Sequence, residues 1–258
     1  MFLRVTLLAS LLLSAPVAFA QDTIDPAAMT SPWSGSGGEF GFASARGNSN
    51  TESANGRLRL RYTDDDWVHS LDLFGLRSRS EYTETNDDGT VTKRSNTTAN
   101  RYTGSAGSAL QLGEHRQLTA TVRYERDDFA TYDRQGSFGL GYGTRLMEGD
   151  RFYMDAQIGP GVRRTHNTED DETRTGLIGR GLFDVKYSLT PNTDLVNTLL
   201  VESGSYNTFG QNDFGVSVSM NAHLALKAGW QARYNSDVAE DKRKTDTLTT
   251  MNVVYKFK

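Results

Sequence analysis

The stretch Arg57-Leu58-Arg59-Leu60-Arg61-Tyr62 sets a cation on every odd position and an apolar or aromatic side chain on every even one. Successive side chains of a strand point to opposite faces, so this period of two predicts a β-strand with one charged and one apolar face. Working outward, the alternation returns as Leu118, Ala120, Val122, Tyr124; as Phe138, Leu140, Tyr142; and as Phe152, Met154, Ala156, Ile158. Toward the C-terminus it reads Phe183, Val185, Tyr187; Phe214, Val216, Val218, Met220; Leu226, Ala228, Trp230, Ala232, Tyr234; and Met251, Val253, Tyr255, Phe257. It is weakest over 67–79, near Tyr102, and over 195–203.

The breaks between these segments are of two alternating kinds. Short ones fall at 64–66, 112–115, 147–150, 190–193 and 222–225, and mostly longer, polar ones at 47–51, 81–96, 127–133, 165–174, 206–210 and 237–244. Six loops on one side and five turns on the other predict about twelve strands with both termini on the turn side, an even number with the loop asymmetry of outer-membrane barrels. The fold class expected is therefore all-β, a transmembrane antiparallel up-and-down β-barrel.

The N-terminus says where the chain goes. Arg4, an apolar run from Val5 to Leu13, and the small-residue site Ala18-Phe19-Ala20 form a secretory signal cut before Gln21. The organisation expected is a signal peptide over 1–20, a periplasmic leader over 21–33 and a barrel over 34–258. The expected location is the outer membrane of a Gram-negative cell envelope, with the termini in the periplasm. No segment after the signal approaches the roughly 18 to 20 consecutive apolar residues of a membrane helix.

Composition agrees. The 258 residues contain no Cys, 25 Gly and 5 Pro, with 11 Tyr and 12 Phe. An exported chain without disulfides must hold itself by a large core or by a closed hydrogen-bonded sheet. A net charge of −4 argues against a nucleic-acid partner.

A soluble barrel or sandwich would also alternate, and two considerations separate them from a membrane barrel. A twelve-stranded barrel encloses more volume than side chains fill, so its interior is better polar and wet than apolar. In addition, once the turns fix strand direction, Tyr62, Trp67, Phe152, Tyr187, Tyr255 and Phe257 gather near the turn side, and Tyr102, Tyr124, Phe138, Phe214 and Tyr234 near the loop side. Two aromatic girdles are what a bilayer selects, since amphipathic rings prefer headgroup depth.

With the apolar face outward, the inward charges are Arg57, Arg59, Arg61, Arg123, Arg145, Arg163, Arg180, Lys186, Lys227, Arg233 and Lys256 against Glu39, Glu125, Asp155 and Asp184. The positive excess supports two readings. One is a paired network that holds the barrel shut, the other a charged eyelet that favours anions in a narrow pore for small solutes.

The run from Trp33 to Phe42, Trp-Ser-Gly-Ser-Gly-Gly-Glu-Phe-Gly-Phe, followed by Gly47-Asn48-Ser49-Asn50-Thr51, resembles the opening of the YdiY-like proteins, domain of unknown function 481, described as salt-induced outer-membrane proteins. The likeness continues through Arg123-Tyr124-Glu125-Arg126-Asp127-Asp128-Phe129, Tyr132-Asp133, Gly141-Tyr142-Gly143 and Gly159-Pro160-Gly161, and covers nearly all of the mature chain. It implies an outer-membrane barrel with no established activity and a link to salt or osmotic response, and it transfers no catalytic residues. One departure is that Lys258 follows Phe257, where barrels resembling this one end on an aromatic residue.

Catalytic chemistry finds little support. His69 and His115 map to the turn side and His223 near it, so His166 is the one histidine in an external loop, beside Glu169, Asp170, Asp171 and Glu172. Such a charge run reads better as a solvated loop than as a metal or hydrolytic site, and its spacing matches no calcium loop. Gly139, Gly141 and Gly143 fall inside a strand, which favours lumen-facing small residues over a phosphate loop; Gly159-Pro160-Gly161 reads as a bulge or rim feature. The chain is expected to be no enzyme and to need no cofactor or metal. The competing reading is a lipid-modifying outer-membrane enzyme. The chain's expected partners are outer-membrane lipid and the barrel assembly machinery during biogenesis, with a small solute as a further candidate.

Overall fold

Each alternating segment forms one strand of a closed sheet. The computed structural model describes residues 31–46, 50–85, 90–240 and 242–257, so the signal peptide and most of the leader lie outside the described residues. The strands are β1 (Gly37–Ala45), β2 (Asn50–Thr63), β3 (Trp67–Thr85), β4 (Val91–Gln111), β5 (Arg116–Asp127) and β6 (Tyr132–Gly149). They continue as β7 (Phe152–Asn167), β8 (Glu172–Thr190), β9 (Thr193–Gly204), β10 (Thr208–Ser219), β11 (Leu224–Asn235) and β12 (Thr245–Lys256). Each pairs antiparallel with its sequence neighbours, and β12 closes on β1, giving a twelve-stranded up-and-down barrel. No helix among the described residues is long and apolar enough to cross a membrane.

The faces are inverted relative to a water-soluble protein. Phe40, Val122, Phe138, Ile158, Leu177 and Met251 are exposed on the outer wall, while Arg123, Glu125, Gln135, Arg163, Glu202 and Arg233 are buried inside. Burying this many polar groups while exposing this much apolar surface is unfavourable in water and favourable in hydrocarbon, where only a closed hydrogen-bonded sheet satisfies its backbone. The weak alternation of β3 has a local cause, for Phe74 points into the lumen under the Arg57 and Arg101 guanidinium groups. Phe209, at the start of β10, likewise points inward, under Arg123 and Arg233.

Three sequence expectations change. The segment 81–96 is largely strand, because β3 and β4 run on past the barrel as a long hairpin pairing Tyr82 with Arg94, with a register shift at Ser78/Arg79. His166 lies within β7, opposite Thr173 of β8, rather than in a loop. Gly159-Pro160-Gly161 is neither bulge nor rim, for it sits in mid-strand facing β8 in continuous register. A Cβ on Gly159 would collide with the Leu140 carbonyl oxygen, so glycine is there to let β6 and β7 approach. Bulges occur elsewhere, including Arg145/Met147 and Ser188/Thr190.

The first described residues dock on the wall. Ser31–Ser36 form a turn in which the Pro32 carbonyl accepts from the Thr63 amide at 2.7 Å, and the Ser36 hydroxyl oxygen accepts from the Arg61 amide at 2.8 Å. Trp33 then meets Tyr62 edge-on at 5.0 Å between ring centroids.

Candidate functional site: the lumen and its outer mouth

Strand direction divides the lumen into a loop-side half and a turn-side half. In the loop-side half, β5 delivers Arg123, Glu125 and Asp127, while β11, opposite it in the ring, delivers Gln231 and Arg233. The Arg233 guanidinium donates to Glu125 Oε1 and, at 3.0 Å, to Asp127 Oδ2. Arg123 donates to Glu125 Oε2 at 2.6 Å and Thr103 to the same oxygen at 3.2 Å. From β4, Arg101 donates to Gln231 Oε1 at 2.5 Å, and Gln231 donates in turn to Asp213 at 2.6 Å.

Phe209, fully buried, fills the space between the two walls, with Arg123 4.8 Å and Arg233 5.6 Å from its ring centroid. Beside it Glu202, also fully buried, accepts from Ser137 at 2.9 Å and lies between Arg163 and Arg180 at 3.8 and 3.6 Å. Arg163 also donates to the backbone oxygens of Glu202 and Asn207. Charge-assisted bonds that join opposite walls around an aromatic ring cross-brace the barrel here.

External loops extend this closure. Tyr132 donates to Asp237 at 2.8 Å, the Ala239 amide to Thr131 Oγ1 at 3.3 Å, and the Asp237 amide to Asn207 Oδ1 at 3.2 Å. His166 holds Asp133 Oδ1 at 2.6 Å through Nδ1 and Asp171 Oδ1 at 3.1 Å through Nε2. Both ring nitrogens are thus engaged with carboxylates, and no metal-binding group of three or more ligands occurs among the described residues. The acidic run is spent on its own turn: Asp170 accepts the Glu172 amide, Arg174 clasps Asp170 and Glu172, and Asp171 takes a positive φ of 53°, which Asp tolerates.

Interactions in the turn-side half follow the wall. Arg57 and Arg59 share Asp72 of the adjoining strand, each at 3.2 Å. Arg145 holds Asp155 at 2.8 Å, Lys186 holds Asp194 at 3.1 Å, and Lys227 reaches Glu39 at 2.8 Å across β12. Among the described residues no ion pair spans this half, the vestibule, where Arg59 and Arg61 are exposed. The outward aromatics Trp67, Tyr187 and Tyr255 edge it, with Phe152 facing Tyr187 in register. Tyr102, Tyr124, Phe138, Phe214 and Tyr234 face outward on the loop-side half.

Sequence reading missed Arg101, Asp127, Glu202, Phe209 and Gln231, and among acids also Asp72, Asp194 and Asp213. The inward positive excess is therefore smaller than expected. Strand parity would have found Gln231, but Phe209 and Asp127 sit at strand ends that read as loop, and Glu202 and Arg101 lie in strands with weak alternation.

Beside the cross-brace, on the loop side, the strands and the β5–β6 loop line a half-open cavity of about 390 Å³, with Leu76, Arg101, Phe129, Gln231, Arg233 and Leu248 among its residues.

This architecture and the sequence behind it match known proteins. The model of a protein family of unknown function, DUF481, matches residues 38–257. The chain belongs to that family. It is 23% identical over 232 residues to the uncharacterized protein YdiY of Escherichia coli strain K12, covering 90% of this chain and 86% of the relative. Among solved structures the NanC porin superposes with a TM-score of 0.51 at 9% identity, covering 86% of this chain and 99% of that one. The translocator domain of the autotransporter NalP from Neisseria meningitidis gives 0.48 at 12% identity, covering 86% and 87%. The fold is thus that of outer-membrane barrels such as porins.

Proposed function

We propose that this member of the family is a gated outer-membrane pore for small anionic solutes, at rest in the closed state. The observation that carries this reading is the bracing of opposite walls, Arg233 to Glu125 and Asp127, and Arg101 to Gln231, in a barrel whose turn-side half no ion pair crosses among the described residues. A pore closed by ion pairs needs no separate plug domain, and breaking a few contacts would join the vestibule to the outer mouth. Anion preference is supported by Arg61 and Arg101, which make no ion pair among the described residues and stand at the two levels a solute would pass. The barrel would sit in a Gram-negative outer membrane with periplasmic termini, surrounded by lipid and inserted by the barrel assembly machinery. The salt or osmotic link implied by the sequence resemblance fits such an envelope pore.

Single-channel recording of refolded protein in a planar bilayer tests the proposal. Wild type should be silent, whereas the double variant Glu125→Gln/Arg233→Gln, which removes both charges together, should give anion-selective steps. Adding Arg57→Glu, Arg59→Glu and Arg61→Glu to it should reverse the selectivity. Steady conductance of wild type, or cation selectivity of the double variant, would contradict it.

A further inference from the structure

The barrel closes incompletely where its first and last strands meet. β1 pairs with β12 only from Gly37/Lys256 to Phe40/Val253, yet β1 runs on to Ala45 and β12 begins at Thr245. Every other sequence-adjacent pair is hydrogen-bonded along most of the shorter strand; β10 and β11, for example, pair from Phe209/Asn235 to Ser219/Ala225. Each strand's other edge stays paired along the gap, Ala43 with Ser53 and Thr245 with Tyr234. The gap therefore climbs from the level of Leu226 to that of Tyr234, a loop-side girdle position, which is the outer leaflet when the barrel is in a membrane.

The 390 Å³ cavity flanks this gap, because Leu248 of β12 and Ser53 of β2 both line it. Its wall is amphipathic. Leu76, Phe129, Ala130 and Leu248 supply apolar surface, and Arg101 and Arg233 supply buried guanidinium groups. Arg233 is paired with Glu125 and Asp127, but its Nε has no partner. Arg101, only 7% exposed, donates to the neutral Gln231 and makes no ion pair among the described residues, although Asp127, its cross-strand neighbour and a lining residue of the cavity, lies close and is itself paired with Arg233. Asp246 lies at the exposed rim of the cavity.

A buried guanidinium with no ion pair and an open cavity beside it can take an anionic head, and a seam where two strands are not hydrogen-bonded gives a lipid-soluble chain a way in from the outer leaflet. A single-chain amphiphile uses both features. We propose that the outer-mouth cavity binds a single-chain carboxylate amphiphile, its head on Arg101 and its chain along Leu248 and Phe129, and that it enters from the outer leaflet through the β1/β12 gap. The size is that of a small-molecule pocket, which runs from about 300 to 1,000 Å³. The site depends on the membrane placement of the barrel but not on conduction, so a barrel that never conducts would leave it intact.

Dodecanoate binding to the refolded barrel in neutral detergent tests the proposal, with acetate as the head alone and dodecanol as the chain alone. Saturable one-to-one binding of dodecanoate is expected, weakened at least tenfold by Arg101→Gln and less by Arg101→Lys. Phe129→Ala, on an external loop, should weaken dodecanoate and leave acetate unchanged. Heat-shifted gel mobility verifies that each variant is folded. Equal binding by wild type and Arg101→Gln would show adsorption to the outer wall only, and acetate as strong as dodecanoate would show a simple anion site; either overturns the proposal. For the route, a Phe42→Cys/Met251→Cys pair joined by a short thiol cross-linker should slow dodecanoate uptake from vesicles at least tenfold. An unchanged rate would overturn lateral entry.

Discussion

In the loop-side half of the lumen Arg233 reaches carboxylates on the opposite wall, whereas in the turn-side half Arg57 and Arg59 reach only Asp72 on the next strand. The charges are similar in kind. What differs is burial and span, and those decide what each set does. Glu125 and Arg233 are 1% and 3% exposed, so removing either one breaks a desolvated pair and leaves the other with a single charged partner, Arg123 or Asp127. Arg59 is half exposed, so water replaces its partner at little cost. The first set can hold two walls together, while the second tunes the charge of a wet surface.

The largest effect that would break this comparison concerns the loop-side set. Arg233→Ala should lower the folding free energy in lipid vesicles by about 3 kcal/mol, the cost of breaking a buried pair whose acid keeps only Arg123, read from denaturant midpoints. Adding Glu125→Gln should recover part of that loss. Gly159→Ala should cost about 1 to 3 kcal/mol by the same measurement, as overpacking between β6 and β7 forces the backbones apart. Arg59→Ala should cost no more than about 1 kcal/mol, as for an exposed pair. If Arg59→Ala proved as damaging as Arg233→Ala, the distinction between the halves would fail.

The smallest effect is local and acidic. Asp128, in the β5–β6 loop, has its pKa held below the ordinary 3.8 by the Asn100 side chain at 2.5 Å and then by Arg126. A lowered carboxylate pKa contributes stability that is complete above the unfolded value and lost as pH falls through the folded one. Hydrogen exchange at the Asp128 amide, which donates to the Asn100 carbonyl at 3.1 Å, should therefore quicken only below about pH 4, beyond the intrinsic rate, and stay protected between pH 5 and 8. Loss of protection already at pH 6 would assign the loop's order to another group.

The barrel was legible because its signal is repeated. Period-two alternation from Leu58 to Phe257 and the two kinds of break set strand number, direction and inward face, since each depends on local pattern. The cross-brace was legible only in part. Arg123, Glu125, Arg163 and Arg233 could be placed in the lumen by parity, but partners separated in sequence by 108 or 130 residues, such as Glu125 with Arg233 or Arg101 with Gln231, are fixed by which strands oppose one another in the closed ring. Phe209 was illegible for a different reason. An aromatic beside a loop reads as girdle or loop, and only two arginines stacked on it from opposite walls make it a filler of the lumen. The short β1/β12 pairing left no mark in the alternation at all, because both strands keep their pattern past the point where hydrogen bonding ends.

The most direct test of the two-halves account is the reaction rate of single cysteines with a small, water-soluble thiol reagent in the folded barrel. Arg59→Cys in the vestibule and Ser137→Cys in the cross-brace are compared in lipid vesicles. The account predicts rapid labelling of Arg59→Cys and labelling of Ser137→Cys at least a hundredfold slower, rising when Glu125→Gln/Arg233→Gln is added. Equal rates at the two positions in the otherwise unaltered barrel would mean that water passes freely through the loop-side half, and would contradict it.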